Sequence, residues 1–258
     1  MKKYAVIVAG GSGSRMGAGV PKQFLLLAGK PVLWYTLEVF LGAYPDLEII
    51  LVVPGAFMEE AGTVVALTQA PKRVQMVAGG GTRFHSVQNG LGLVKEESVV
   101  FVHDGVRCLA SAALIRRCYE QAVHTGSAIP VTDCKDSVRL LTEAGASAAF
   151  DRNKVKLVQT PQTFLSTILL PSYGLGFKKE GMVVEAASVG YKEEFTDEAT
   201  VVEAAGYSVH LAEGEPDNIK ITVAADLVVA ELILSIRKNG ANGKRDGSIP
   251  GPAGTPVG

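Results

Sequence analysis

The chain predicts an α/β fold, a mostly parallel sheet flanked by helices, on three observations. Short apolar, β-branched runs alternate with segments of helical length, the rhythm of repeated βαβ units. The first run, Val6-Ile7-Val8-Ala9, empties directly into a glycine-rich loop that continues to Gly17. Hydrophobic residues make up 47% of the 258, enough to fill a core on both faces of a sheet.

Each element follows from its local pattern. Tyr4–Ala9, Glu48–Val53, Val74–Val77, Val99–Val102 and Ser127–Val131 read as buried strands, because each is a brief apolar run bounded by turn or polar residues. Pro31–Leu41, Phe57–Gln69, Thr82–Val94 and Ser111–His124 read as helices between them. Pro31 suits a first helical position and Ser111 an N-cap. The rhythm breaks between Asp133 and Val158, where charged residues flank short apolar pieces. That stretch, about 133–158, predicts a projecting β-hairpin arm whose loop is Thr142–Ser147, around Gly145. Regular structure resumes with Lys156–Gln159, followed by a helix at Thr196–Ala205, a strand at Tyr207–Ala212 and a closing helix at Ala224–Lys238. Residues 1–238 thus predict a single domain, and the Gly- and Pro-rich residues 239–258 a disordered tail.

Composition excludes several classes. A net charge of −1 gives no reason to expect nucleic acid or a membrane surface as partner, so any anion must be met by a local cluster. No run approaches the roughly 18 apolar residues of a membrane span. The basic start, Met1-Lys2-Lys3, precedes an apolar stretch too short for a secretory signal. Three cysteines without CxxC spacing fit a reducing, cytoplasmic setting rather than a disulfide framework.

The glycine loop carries the first chemical signal. Glycines let successive backbone N–H groups approach an anion closely, which suits a polyphosphate. Arg15 and Lys22 bring cations to the same mouth, where charge gathers during nucleotidyl transfer. The spacing of Gly11, Gly13 and Gly17 is GxGxxxG, not the GxGxxG of a dinucleotide fingerprint, and no Gly-Lys-Ser/Thr of a Walker loop follows. Asp104, at the end of a hydrophobic strand, is placed to ligate Mg²⁺ or to cap its own loop. His103 beside it reads as structural. Asp217 offers a second carboxylate and Lys220 a phosphate contact.

Taken in order, these pieces resemble the 2-C-methyl-D-erythritol 4-phosphate cytidylyltransferases. The resemblance runs from about Tyr4 to Ser235, through Ala9–Met16 with Pro21-Lys22-Gln23, Gly79-Gly80 through Arg83 to Ser86-Val87, and His103-Asp104 with Arg107. It continues through Asp136-Ser137-Val138-Arg139, Asp151-Arg152, Gln159-Thr160-Pro161-Gln162, Thr196-Asp197-Glu198-Ala199 and Asp217-Asn218-Ile219-Lys220. It implies a Rossmann-like sheet of the nucleotide-diphospho-sugar transferase type, and transfer of CMP from CTP to methylerythritol phosphate with release of pyrophosphate. By the same resemblance Ala9, Gly10, Gly11, Ser12 and Gly13 cradle CTP, with Asp104 and Gly105 on the same side. Gly80, Gly81 and Ser86 select cytosine. Arg15 and Lys22 stabilise charge on the phosphates, while Arg152 and Lys220 complete the catalytic set. Asp104 and Asp217 hold Mg²⁺. Arg107, Ser137, Thr160 and Thr196 position the polyol phosphate, Ser137 and Arg152 reaching it from the arm of a second subunit in a homodimer.

The chain departs from the family pattern at Cys108, where a proline is common, and at Gly105-Val106, where two alanines are usual. Gly81 stands where an Asp is frequent, which leaves that contact to backbone groups. Two other functions share parts of this signal. A ribitol 5-phosphate cytidylyltransferase has the same fold and CTP loop. A nucleotide-sensing module without chemistry would have no reason to keep Arg15, Lys22, Asp104, Arg152 and Lys220 together.

Overall fold

Alternation along the central strands builds a sheet covered on both faces. The computed structural model describes residues 1–11, 20–143, 145–179, 182–184, 190–192 and 195–243. Ser12, Gly13 and Arg15, and tail residues 244–258, lie outside them. In β1 (Lys2–Val8), Ala5 and Ile7 face one core and Tyr4 and Val6 the other. After the short pair β2 (Leu26–Leu27) and β3 (Lys30–Pro31) comes α1 (Val32–Ala43). In β4 (Leu47–Val53), Ile49, Leu51 and Val53 join the first core, Ile50 and Val52 the second. This period of two, apolar on both sides, belongs to a parallel strand buried between helix layers.

The chain continues through α2 (Met58–Ala66), β5 (Val74–Ala78), α3 (Arg83–Leu91), β6 (Ser98–Asp104), α4 (Ala112–Thr125) and β7 (Ser127–Asp133). Next come β8 (Val138–Leu141), β9 (Ser147–Phe150), β10 (Lys156–Val158), β11 (Gln162–Leu165) and α5 (Ser166–Ser172). The last elements are β12 (Phe177–Lys179), β13 (Met182–Val184), α6 (Glu198–Ala204), β14 (Leu211–Glu213) and α7 (Ala224–Gly243).

The main sheet has eight strands, in the order β10-β7-β11-β6-β1-β4-β5 with β14 added to β7. β5, β4, β1 and β6 run parallel; β11 is antiparallel to both β6 and β7, β10 is antiparallel to β7, and β14 parallel to it. One face is covered by α1, α2 and α4 and the other by α3, α5 and α6, while α7 lies over a third cluster containing Val106, Leu109 and Ile221. Gly90 sets how closely α3 approaches: a Cβ there would fall 2.7 Å from Val6 Cγ1 and 2.9 Å from Val52 Cγ2.

The expected strands and helices are present with shifted ends, and four details differ. Pro31 flanks α1 instead of opening it, because it pairs with Leu26 in the β2–β3 ribbon. The strand expected at Tyr207–Ala212 forms only at Leu211–Glu213; the His210 N–H is taken by Ser127 Oγ at 3.0 Å instead of a ladder partner. The reversed strand β11, helix α5 and the short ribbons β2–β3 and β12–β13 had no counterpart in the sequence reading. The closing helix runs to Gly243, past the expected boundary at 238. β8 and β9 form their own two-stranded ribbon, with Leu141 81% exposed at its tip and all of β9 exposed.

Candidate functional site

Parallel strands deliver their carboxyl ends, and the loops that follow, to one edge of the sheet. The loop after β1 is tied down from three sides. The Ala9 N–H donates to Val52 O (2.8 Å), the Gly105 N–H to Val8 O (2.9 Å), and buried Gln23 Nε2 to Ala9 O (2.8 Å). Gly10 and Gly11 follow exposed, and a Cβ on Gly11 would sit 3.7 Å from Lys22 Cε, so the Lys22 stem runs beside the loop. They form one wall of a cleft of about 380 Å³ whose other walls include Gly80, Gly81, Arg83, Asp104, Lys220 and Thr222.

The opposite wall is a bend ahead of α3. Thr82 caps that helix, its Oγ1 accepting from the His85 N–H. Ser86, buried, accepts from the Gly80 N–H (3.1 Å) and donates to Thr82 O (2.9 Å), so its hydroxyl braces the bend from within. Gly80 admits no side chain, since a Cβ would fall 2.4 Å from His85 Cβ, whereas Gly81 has open space.

A second cleft of about 220 Å³ adjoins the first, lined by Arg107, Gln159, Thr160, Gln162, Thr196 and Asp197. Arg83, Asp104 and Lys220 line both. At that shared wall Lys220 Nζ donates to Asp104 Oδ2 at 2.8 Å, Arg83 Nη2 to Oδ1 at 3.3 Å, and Arg107 Nε lies 3.8 Å from Oδ2. Burial by itself would raise the Asp104 pKa, but Arg83, Lys220 and Arg107 together hold it well below the usual carboxylate range.

Several predicted residues are engaged in building the walls. Arg107 donates to Asn218 O (2.8 Å) and Val158 O (3.3 Å), joining two loops across the second cleft. Burial, the largest influence, lowers its pKa. Thr160 Oγ1 accepts the Asp104 N–H (3.1 Å) and contacts His103 Nδ1 (3.0 Å). His103 is fully buried, and burial pushes its pKa down to about 4, in keeping with a structural part.

The structure gathers Ala9, Gly10, Gly11, Lys22, Gly80, Gly81, Ser86, Asp104 and Lys220 at the first cleft, and Arg107, Thr160 and Thr196 at the second. Gly105 packs beneath the loop: a Cβ there would be 3.0 Å from Ala9 Cβ. Asp217 is not brought to Asp104; it lines neither cleft, and its carboxylate faces Arg237 of α7 at 3.3 Å. Among the described residues no three His, Cys, Asp or Glu side chains gather as a metal cluster. Asp104 alone fits an Mg²⁺ that draws its remaining oxygens from phosphate and water, and the donor set does not fit a two-carboxylate site. Ser137 and Arg152 also line neither cleft; Arg152 Nη1 donates to Lys135 O (2.7 Å) at the base of the hairpin.

Sequence reading assigned no role to Arg83, Glu198, Gln159, Gln162, Asn218 or Thr222, although five of the six fall in quoted motifs. Gln159 and Asn218 staple the two loops of the second cleft, with Asn218 Nδ2 donating to Thr160 O at 2.8 Å and Gln159 Nε2 to Glu215 O at 2.8 Å. A buried amide followed much later by another was the only available signal.

Comparison with known proteins agrees with this geometry. Residues 4–236 match the family described as IspD, 2-C-methyl-D-erythritol 4-phosphate cytidylyltransferase. A relative of that name from Bacteroides thetaiotaomicron is 44% identical over 234 residues, covering 91% of this chain and all of the relative. Another from Bacillus velezensis is 35% identical over 94% of this chain and all of its own. The crystal structure of 4-diphosphocytidyl-2C-methyl-D-erythritol synthase from Anaerococcus prevotii superposes with a TM-score of 0.75 at 26% identity, over 91% of this chain and 96% of that one. The chain belongs to the 2-C-methyl-D-erythritol 4-phosphate cytidylyltransferase family of nucleotidyltransferases.

Proposed function

We propose that the chain performs its family's cytidylyl transfer across the shared wall of the two clefts, with CTP in the first and the polyol phosphate in the second. The observation that carries this reading is the placement of Arg83, Asp104 and Lys220 on both clefts, so that a triphosphate and a phosphate acceptor meet over one charged surface. An acceptor phosphate oxygen attacks the α-phosphorus of CTP, a new P–O bond forms, and the bond to the β-phosphate breaks to release pyrophosphate. The nucleophile is already ionised, so positioning and charge stabilisation do the work and no general base is needed.

In this scheme Gly10 and Gly11 receive the triphosphate through backbone N–H groups, joined by Ser12 and Gly13, and Lys22 with Arg15 stabilises charge on the leaving pyrophosphate. Gly80 and Gly81 present backbone groups to the base, on a bend held by Ser86. Lys220, exposed enough to turn, exchanges Asp104 for the acceptor phosphate, while Arg107, Thr160 and Thr196 shape its seat. Asp104 would hold Mg²⁺, which neutralises phosphate charge when bound. Asp217 takes no part.

Ser137 and Arg152 act on a second copy's site, through a homodimer made by the β8–β9 arm. The reading is supported by their absence from the lining of either cleft of their own chain and by the exposed apolar residues Leu140, Leu141 and Phe150 on the arm. Three free cysteines fit a cytoplasmic location. No helix among the described residues is long and apolar enough to cross a membrane.

The test is pyrophosphate release from CTP with Mg²⁺, comparing methylerythritol phosphate with ribitol 5-phosphate. Preference for methylerythritol phosphate is expected. Preference for ribitol phosphate, or no release with either, overturns the assignment.

A further inference from the structure

We propose that Glu198 is a positioning residue for the transfer reaction, acting through Arg83 on Asp104. Glu198 has no solvent exposure, yet it is a carboxylate. Its two oxygens receive the Arg83 fork, Nη1 donating to Oε1 and Nη2 to Oε2 (3.1 Å), while Tyr173 Oη donates to Oε1 at 3.3 Å. Arg83 Nη2 reaches on to Asp104 Oδ1 at the wall between the clefts. Charges therefore alternate along one line: Glu198, Arg83, Asp104, Lys220.

Two arguments separate this arrangement from ordinary packing. Withdrawing the Glu198 carboxylate from water costs several kcal/mol, and apolar residues of similar volume commonly replace a buried ion pair without loss of stability. What apolar residues cannot do is fix the plane of a guanidinium. The second argument is the rigidity behind Glu198. Gln162, itself fully buried on β11, donates to Asp197 Oδ2 (2.9 Å) and accepts from the Ala199 N–H (2.8 Å), gripping the residues on either side of Glu198. The anchor of the fork is thereby tied to the central sheet.

The consequence concerns Asp104. Held by Glu198, Arg83 offers Asp104 a single N–H, and the other carboxylate oxygen stays with Lys220. Released from Glu198, the fork would turn to take both Asp104 oxygens in the bidentate geometry that arginine favours, displacing Lys220 and closing the wall to phosphate.

The experiment is a double-mutant cycle on steady-state rates with Glu198→Gln and Arg83→Met, with urea midpoints for every variant. Glu198→Gln is expected to lower kcat roughly 10- to 100-fold, the usual range for a residue orienting an active-site group, with KM for CTP within about threefold of wild type. Added to Arg83→Met, it should cost nothing more, because its effect passes through Arg83. A double variant whose loss equals the product of the two single losses overturns the proposal, as does wild-type turnover in Glu198→Gln. Should Glu198→Gln fail to fold, Glu198→Asp decides: it keeps the charge and draws the carboxylate back from the fork. An intact urea midpoint with a 10-fold or greater fall in kcat supports the proposal, and unchanged kcat overturns it. These rate ratios are independent of which polyol phosphate is the better acceptor.

Discussion

Acidification should destabilise this chain in a window set by His103, well before Asp104 is reached. His103 has no exposure, packs against Phe40, and has both ring nitrogens engaged. Nε2 lies 3.1 Å from Arg107 O, which can only accept, so Nε2 carries the proton and Nδ1 accepts from the Thr160 hydroxyl. A second proton on Nδ1 would be buried facing a group that now donates to it. Burial accordingly lowers the folded pKa to about 4 from 6.5. As pH falls the unfolded chain binds this proton first, so the stabilisation is complete above about pH 6.5 and drains away down to about pH 4. A shift of that size corresponds to about 3 kcal/mol in total. Below pH 4 the histidine contributes no further slope. Asp104, whose pKa is depressed, then takes over: its contribution is present above the unfolded value of 3.8 and is lost as pH falls below it. The assay is urea denaturation at half-unit steps from pH 7.5 to 4.0 for the wild type and for His103→Gln, whose amide can accept from Thr160 and donate to Arg107 O. The variant starts less stable, but its curve should be flatter across the window by about 3 kcal/mol. Parallel curves for the two proteins would refute the reasoning, whatever their absolute stabilities.

Three other perturbations test the site and its frame. Lys22→Ala should keep the urea midpoint and lower kcat by roughly 10²- to 10³-fold, the loss typical of one transition-state donor; unchanged kcat would remove Lys22 from the chemistry. Mixed with Arg152→Ala subunits, Lys22→Ala subunits should regain about a quarter of wild-type activity, because each heterodimer contains one site with both residues intact. No recovery after subunit exchange would count against an arm acting across the dimer. Gly90→Ala should destabilise by about 1–3 kcal/mol, because overpacking against Val6 and Val52 outweighs the gain in helix propensity of about 1 kcal/mol. A raised melting temperature would show that α3 can retreat from the sheet.

The parallel half of the sheet was legible because the middles of β1, β4 and β6 are apolar on both sides and because Thr82 and Ser111 cap α3 and α4. The reversed strand β11 was not. Its four residues, Gln162–Leu165, include two polar side chains that are buried for reasons located elsewhere: Gln162 serves α6, and the Thr163 hydroxyl lies 3.4 Å from Pro161 O. Local pattern has no access to such partners. The first cleft was legible for a related reason, since its glycine loop and Lys22 are close in sequence. Arg83 and Glu198 were not, because their meaning arises only when residues 115 apart meet. Asp217 shows the opposite failure. In sequence it stands three residues from Lys220 and reads as its companion, yet the loop points it at Arg237.

The chain's net charge of −1 left anion binding to a local concentration of cations, and the shared wall supplies it. Lys22, Arg83, Arg107 and Lys220 line the two clefts against Asp104 and Asp197, with Glu198 buried behind Arg83, one more cation than acids. The cations differ in how they are held. Arg83 is fixed by a buried carboxylate and Arg107 by two backbone carbonyls, whereas among the described residues the Lys220 ammonium meets Asp104 and its side chain remains 43% exposed. A flexible ammonium exchanges partners with little rearrangement, and a guanidinium locked in a fork does not. The fixed arginines therefore keep the wall in shape, and in the proposed reaction Lys220 is the cation suited to follow the acceptor phosphate toward CTP. Exchanging Lys220 for arginine would preserve the charge and remove that freedom, which makes an intact charge count a poor guide to activity at this wall.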